Sequence, residues 1–136
     1  MIRKITKRDY SDVLAMGKIL NSNFTLDNNK NIYVYEIDGH VVAFLEYSVL
    51  YEVADILNIF VKDEYRKKGI GKSLIHYLID NVRVDRIMLE VRESNSVAIK
   101  FYETLNFKYV RSIKNYYGRE NGIAMERSLI WKIFTF

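Results

Sequence analysis

The stretch that decides the fold is residues 61–74, which read Val61-Lys62-Asp63-Glu64-Tyr65-Arg66-Lys67-Lys68-Gly69-Ile70-Gly71-Lys72-Ser73-Leu74. An apolar strand ends at Val61, two glycines follow in a basic turn, and apolar residues then recur at helical spacing. A helix that starts after such a turn presents unpaired backbone N–H groups and the positive end of its dipole. Glycines let a phosphate approach that backbone closely. The stretch therefore predicts a site for a phosphate-bearing ligand at the start of a helix.

The glycine pair allows other interpretations when it is taken alone. Gly71-Lys72-Ser73 matches the end of a Walker A motif, but Arg66 stands where that motif requires its first glycine. A dinucleotide-binding fingerprint fails because Leu74 replaces the third glycine. In the simplest interpretation, the glycines only turn the chain.

Basic residues surround the glycines: Lys62, Arg66, Lys67, Lys68 and Lys72. A cluster of this kind is usually a solvated face, but it also suits an anion such as a phosphate-bearing cofactor or a nucleic acid. No nucleic-acid recognition motif accompanies it, so we expect no direct binding to nucleic acid.

Composition narrows the class of protein. The chain has 136 residues, 49% of them apolar and 28% charged, with a formal net charge of +4. These values are typical of a soluble globular protein, and we expect one domain over residues 1–136. The chain has no cysteine, which excludes disulfides and cysteine-based zinc sites. His40 and His76 are isolated, so we expect no metal site.

Hydropathy predicts where this protein resides. No apolar run approaches the ~20 residues of a membrane helix, and the first residues do not resemble a signal peptide. We therefore expect a cytoplasmic protein that does not engage a membrane.

Periodicity predicts a strand, a helix, a polar loop and then three strands upstream of the glycines. Their ranges are 2–6, 9–20, 21–30, 31–37, 41–51 and 53–61. Thr6 or Asp9 is the predicted cap of the helix. Asp38-Gly39 is a strong hairpin signal, so the three strands should form an antiparallel meander.

Downstream of the glycines, helices and strands alternate. The first helix carries an apolar stripe of Ile70, Leu74, Ile75, Leu78 and Val82. A strand over 86–91 follows, and Ser94 or Asn95 caps a second helix with the stripe Val97, Ala98, Phe101, Tyr102 and Leu105. Strands over 107–113 and 123–129 close the chain, joined by a polar loop. The predicted fold is α+β, a mixed and mostly antiparallel sheet of about seven strands with helices on both faces.

The chain resembles the GNAT acetyltransferases at residues 66–71, where Arg66-Lys67-Lys68-Gly69-Ile70-Gly71 fits their signature Q/R-x-x-G-x-G/A. The predicted order of elements is also the GNAT order. Residues 89–107 read LEVRESNSVAIKFYETLNF and resemble the "LEVR-x-SN-x-x-AI-x-x-YE-x-LGF" block of RimI-type ribosomal-protein-alanine N-acetyltransferases. Residues 57–61 and 115–117 are similar to that family as well, so the resemblance covers roughly residues 53–130.

Two departures from the family pattern stand out. Asn106 replaces the usual glycine, and Asn tolerates the left-handed backbone conformation better than most residues do. The segment 118–121 is short for the family's last hairpin loop, which borders the peptide groove in that family.

The resemblance implies an enzyme that transfers an acetyl group from acetyl-CoA to the N-terminal α-amino group of a protein, with a ribosomal protein as one candidate acceptor. It implies that Glu90 is the general base, acting through a water, and that Tyr102 is the general acid. The residues that it places around acetyl-CoA are Ile59, Phe60, Val61, Lys67, Lys68, Gly69, Ile70, Gly71, Lys72 and Asn95, the first three through their backbone.

Each of these roles competes with an ordinary structural one. Alternation along the strand puts Glu90 on the face opposite Ile87, Leu89 and Val91, where it could simply pair with Arg92. Tyr102 lies on an apolar stripe and could be a core residue. Asn95 could cap its helix, with or without binding the cofactor.

Other functions remain open at this level. The acceptor could be a small amine, an antibiotic or a lysine side chain, and the chain could be a non-catalytic acetyl-CoA-binding module. The oligomeric state and the role of the aromatic segment 131–136 cannot be predicted.

Overall fold

The computed structural model describes residues 1–118 and 120–129. Its helices are α1 (Tyr10–Leu20), α2 (Ile70–Asn81) and α3 (Ser96–Thr104). Its strands are β1 (Ile2–Lys4), β2 (Asn31–Ile37), β3 (His40–Leu50), β4 (Val53–Val61), β5 (Arg86–Arg92), β6 (Lys108–Tyr117) and β7 (Glu120–Ser128).

The strands form one sheet in the order β1-β2-β3-β4-β5-β7-β6. The ladders of β1 with β2, β2 with β3, β5 with β7 and β6 with β7 are antiparallel. The ladder of β4 with β5 is parallel and joins Val53–Asp55 to Arg86–Met88. The predicted α+β fold with a mixed, mostly antiparallel sheet of seven strands is confirmed.

The chain divides into two compact units, and β4 contributes to both. The first unit comprises Met1–Ser48 and Leu57–Val82, and the second comprises Val49–Ile56 and the described residues from Arg83 onward. The expectation of one domain over residues 1–136 stays a prediction.

In the first unit, α1 packs against β2 and β3 through a cluster of buried side chains. This cluster includes Val13, Met16, Phe24, Val34 and Phe44. A Cβ atom at position 17 would lie 2.1 Å from the ring of Phe24. The glycine at this position therefore lets the loop that follows α1 fold back and seal the core.

In the second unit, β5 alternates as predicted, with Ile87, Leu89 and Val91 buried. Ile87 pairs in register with Arg127 of β7, and the Arg127 guanidinium donates to the carbonyl of Leu105 at the end of α3, at 3.1 Å. Since directly paired residues share a face, the C-terminal end of α3 lies on the face of the sheet that carries Ile87.

The predicted apolar stripe of α3 is partly wrong. Val97 is 80% exposed, while Tyr102 and Leu105 are buried. Val97 lies in the first turn of the helix, beyond the apolar surface that the other two residues cover. In α2 the predicted Val82 is the half-buried residue just past the helix end, and Ile79 is buried instead.

The last hairpin is tighter than predicted. The strands extend to Tyr117 and begin again at Glu120, which pair in register. Gly118 has a φ of +73°, a conformation that glycine adopts without strain and that permits a short turn. The predicted polar loop between the strands 107–113 and 123–129 is therefore wrong at residues 114–117 and 120–122, which are strand. Arg119 and the segment 131–136 lie outside the described residues.

No helix within residues 1–118 and 120–129 is long and apolar enough to cross a membrane.

A buried ion pair ties β1 to the start of α1. Arg3 donates to both carboxylate oxygens of Asp9, at 2.7 and 2.9 Å, and to Glu36 at 2.6 Å. Asp9 also accepts from the backbone N–H of Thr6 at 2.8 Å. The hydrogen bond from Arg3, followed by those from Thr6, outweighs burial and lowers the pKa of Asp9 from 3.8 to about 2. The carboxylate is therefore held in its charged form.

We predict that Asp9→Asn lowers the free energy of unfolding by about 3 kcal/mol, because it removes the buried carboxylate that Arg3 pairs with and leaves Arg3 with Glu36 and the carbonyl of Lys4. The pKa of Asp9 is depressed in the folded state. Its contribution to the free energy of unfolding is therefore present above pH 4 and is lost as pH falls toward 2. Urea unfolding at pH 7 and pH 2.5, with exposed Asp80→Asn as control, measures both effects. A difference between wild type and Asp9→Asn that did not shrink at pH 2.5 would contradict this account.

Candidate active site

The glycine loop follows the end of β4 and leads into α2. Gly69 is the residue before the helix and has φ +81° and ψ 10°, a left-handed conformation that favours glycine. Nothing lies within 4 Å of the position that a Cβ atom would take there. The start of α2 has no side-chain cap, so its first N–H groups face outward and suit an anion.

The basic residues of the loop divide into two groups. Arg66 is used within the protein: its Nε donates to the carbonyl of Val61 at 2.9 Å, and its Nη1 pairs with Asp63 at 2.8 Å. Lys67, Lys68 and Lys72 are exposed. The arrangement therefore places three ammonium groups near the uncapped start of α2, as a phosphate ligand requires.

The predicted backbone residues Ile59, Phe60 and Val61 lie in the last part of β4. Phe60 is buried in the core of the first unit, and Ile59 and Val61 are half-buried. The described ladder of β4 with β5 ends at Asp55. The backbone groups of these three residues therefore lie beyond that ladder.

Glu90 is exposed on β5 and lies on the face opposite Ile87, Leu89 and Val91, as predicted. Arg92 forms an ion pair with Glu120 at 3.5 Å. Glu120 also accepts from the backbone N–H of Ser94 at 2.9 Å, and hydrogen bonding by Ser94 lowers the pKa of Glu120. Glu120, which the sequence did not single out, therefore supplies a carboxylate partner for Arg92.

Tyr102 is 8% exposed, and its ring centre lies 5.3 Å from that of Phe101 and 5.7 Å from that of Phe107. The alternative that it packs in the core is confirmed, which leaves the role of its hydroxyl open. Because α3 ends on the face that carries Ile87, Glu90 and the helix of Tyr102 lie on opposite faces of the sheet.

Asn95 is the residue before α3, and its Oδ1 accepts from the N–H of Ala98 at 3.1 Å. The alternative that it caps the helix is confirmed. The cap uses one acceptor of the amide and leaves its NH₂ donors for other partners.

Two acidic residues near these elements were missed by sequence reasoning. Glu46 of β3 is 5% exposed and accepts from the side chain of Asn58 at 2.9 Å, with Lys30 4.0 Å away. Asp55 of β4 is half-buried. The signal that would have found them is a carboxylate within an otherwise apolar strand.

Within the described ranges, no three His, Cys, Asp or Glu side chains are grouped as a metal ion would require. His40 and His76 are exposed.

Comparison with known proteins identifies the class of protein to which this fold and glycine loop belong. Residues 2–107 match the Acetyltransferase (GNAT) family, and the chain belongs to that family.

Its relatives include acetyltransferases of protein N-termini. The [ribosomal protein bS18]-alanine N-acetyltransferase of Escherichia coli strain K12 is 38% identical over 95 residues, which span 65% of this chain and 64% of that enzyme. The N-alpha-acetyltransferase of Saccharolobus solfataricus is 42% identical over 79 residues, 54% of this chain and 47% of that protein. The crystal structure of the ribosomal-protein-S18-alanine N-acetyltransferase from Escherichia coli matches with a TM-score of 0.80 and 27% identity, over 95% of this chain and 93% of that chain.

We predict that Asn95→Ala lowers the free energy of unfolding by about 1 kcal/mol through loss of the cap, while Asn95→Ser keeps most of it. Urea unfolding of the three proteins measures the difference. Equal stability of Asn95→Ala and wild type would show that the cap contributes nothing and would leave ligand binding as the reason for this residue.

Proposed function

We propose that this chain transfers the acetyl group of acetyl-CoA to the N-terminal α-amino group of a protein. Membership of the GNAT family supports the reaction class. The observation that carries the proposal is the uncapped start of α2, with Gly69 in a left-handed conformation and exposed lysines beside it. Such a site suits the pyrophosphate of acetyl-CoA, which is the co-substrate of this family.

In the proposed binding mode, the backbone N–H groups from Gly69 to Lys72 and the side chains of Lys67, Lys68 and Lys72 hold the pyrophosphate. The backbone of Ile59, Phe60 and Val61 pairs with the amides of the pantetheine arm and polarises the thioester carbonyl. Arg66 orients the loop through its bonds to Val61 and Asp63. Asn95 adds a side-chain amide to the cofactor site besides capping α3.

The proposed reaction is direct transfer. The neutral amine attacks the thioester carbon, a C–N bond forms, and the C–S bond breaks. Glu90 takes the proton that the amine loses, through a water, and Tyr102 gives a proton to the departing thiolate.

An α-amino group is the acceptor that fits this machinery best. Its pKa is ~8, so removing its proton near neutral pH is a small task for a carboxylate, whereas a lysine side chain has a pKa of ~10.4. The names of the relatives from Escherichia coli and Saccharolobus solfataricus also support an N-terminal acceptor. A ribosomal protein is the candidate that the first name suggests, and we expect the reaction in the cytoplasm, without direct nucleic-acid contact.

The experiment that tests the acceptor is mass spectrometry of a peptide panel after incubation with acetyl-CoA. The panel pairs Ala-, Ser- and Met-initiated peptides with N-blocked peptides that contain lysine. We expect acetyl groups on α-amines and none on lysine. Acetylation of lysine alone, or of small amines in place of every peptide, would overturn the proposed acceptor, and binding of acetyl-CoA without any transfer would indicate a non-catalytic module.

We predict that Glu90→Gln lowers kcat for an Ala-initiated peptide by roughly 10²-fold, because the amine loses its general base. The exposed Glu93→Gln is the matched control and should turn over at the wild-type rate. Steady-state kinetics at pH 7 measure both. Full turnover by Glu90→Gln would remove this residue from the mechanism.

We predict that Tyr102→Phe also lowers kcat roughly 10²-fold, because the thiolate loses its proton donor while the ring keeps its packing. Acetyl-CoA affinity by calorimetry should stay unchanged. Tyr109→Phe on β6, 61% exposed, is the control. A wild-type rate for Tyr102→Phe would leave Tyr102 a core residue only.

A further inference from the structure

Asp55 lies beside the proposed base. It pairs in register with Met88 on β5, and Glu90 follows two residues later on the same strand. Paired residues share a face of the sheet, and so do residues two apart along a strand. Asp55 and Glu90 therefore point to the same face, opposite the one on which α3 ends.

The two carboxylates are within electrostatic reach of each other. Burial raises the pKa of Asp55, the negative charge of Glu90 raises it further, and the charge of Arg86 opposes the shift. Arg86 is itself paired with Glu126 of β7 at 3.3 Å. The guanidinium next to Asp55 thus has a carboxylate partner of its own.

Asp55 also lines a cavity of about 560 Å³ in the second unit. Its charged lining residues are Glu52, Asp55, Asp85, Arg86 and Glu126. Four acidic residues and one arginine thus line this cavity, and Glu90 lies outside the lining, although the whole chain has a net charge of +4. The net charge of the lining residues is negative, opposite to that of the whole chain, and suits a cationic group.

The proposed reaction delivers such a group. An α-amino group with a pKa of ~8 arrives mostly as an ammonium ion at neutral pH. It has to be held in the charged form before Glu90 receives its proton. A single carboxylate would have to bind the ammonium and deprotonate it, whereas two on one face can divide these tasks.

We propose that Asp55 binds the ammonium group of the acceptor beside Glu90 and so selects acceptors that carry a positive charge at the reacting end. The ammonium nitrogen gives its first proton to Glu90, which passes it to solvent through the water, so that Glu90 can take the second proton when the neutral amine attacks. Asp55 transfers no proton. This inference rests on the proposed function and adds a specificity-determining residue to it.

The test compares Asp55→Asn with Asp85→Asn, the same substitution in the same cavity. We expect Asp55→Asn to raise the KM for an Ala-initiated peptide about tenfold, the size of one hydrogen bond to a charged group. The KM for acetyl-CoA should stay unchanged, and kcat should change less than the peptide KM does. Asp85→Asn, which removes the same negative charge from the cavity lining, should raise the peptide KM less than Asp55→Asn does. Equal increases in peptide KM for both variants would show that only the general field of the cavity acts, and would overturn the role of Asp55.

A neutral competitor sharpens the result. A peptide with propionyl in place of the N-terminal alanine has the same length and no ammonium group. Its inhibition constant should be the same for wild type and Asp55→Asn. An increase that matches the change in KM would mean that Asp55→Asn has damaged the binding surface in general, and the inference would fall.

A titration of the unliganded protein tests the pair without any turnover. The ¹³C carboxyl signal of Asp55, followed by NMR, should titrate at lower pH in Glu90→Gln than in wild type. The other charged residues near Asp55 are the same in both proteins: Arg86, Glu126, Glu52 and Asp85. An unmoved titration would refute the pairing.

If α-amines are acetylated but Asp55→Asn leaves the peptide KM unchanged, this inference fails and the proposed function stands. If no α-amine is acetylated, both fail.

Discussion

The rest of the structure depends on the short parallel ladder between β4 and β5, in a sheet whose other described ladders run antiparallel. Parallel neighbours cannot be joined by a hairpin, so the chain has to leave the end of β4 and return through a crossover. Here α2 is that crossover, and it begins within nine residues of Val61, at Ile70. The same constraint places an uncapped helix start, with its glycines and lysines, just after the end of a strand. It is the source of the proposed anion site.

The length of the ladder matters as much as its direction. It joins three residue pairs and ends at Asp55. The last part of β4 therefore carries backbone groups that are not used in this ladder, and these are the groups proposed to hold the pantetheine arm. Asp55 belongs to the last pair, and Glu90 lies two residues beyond that pair on β5. Both are on the face of the sheet away from α3. The acidic character of this face and the basic character of the glycine loop suit the two proposed substrates, an ammonium ion and a pyrophosphate.

Local signals predicted much of this from the sequence. The bounds of β2 and β4 were predicted as they are found, because β2 is rich in Tyr, Val and Ile, β4 is largely apolar, and Asp38-Gly39 marks the end of β2. Asp38 and Gly39 both have positive φ, and Asn106 has a φ of +66°, as expected for the residue that replaces glycine. The face of Glu90 followed from strand alternation alone.

What the sequence did not reveal depends on partners distant along the chain. Val97 fits an apolar helical stripe, but whether that stripe reaches a core depends on where the helix lies. Glu120 and Asn121 read as loop because they are polar, yet both belong to β7, and Glu120 pairs with Tyr117 across a tight turn at Gly118. Asp55 became a candidate only when the register placed it beside Met88 and Glu90, since register cannot be read from one strand. The roles of Glu90, Tyr102 and Asn95 rest on a family resemblance, because burial and capping explain Tyr102 and Asn95 equally well.

The central claim is that the glycine loop and the end of β4 hold acetyl-CoA. An NMR titration of the ¹⁵N-labelled chain with acetyl-CoA, in the absence of an acceptor, tests this claim most directly because it reports the binding site residue by residue. The account predicts that the largest changes in amide chemical shift occur in residues 59–61 and 67–72. Saturable binding that left these amides unmoved, or no binding at millimolar acetyl-CoA, would contradict it.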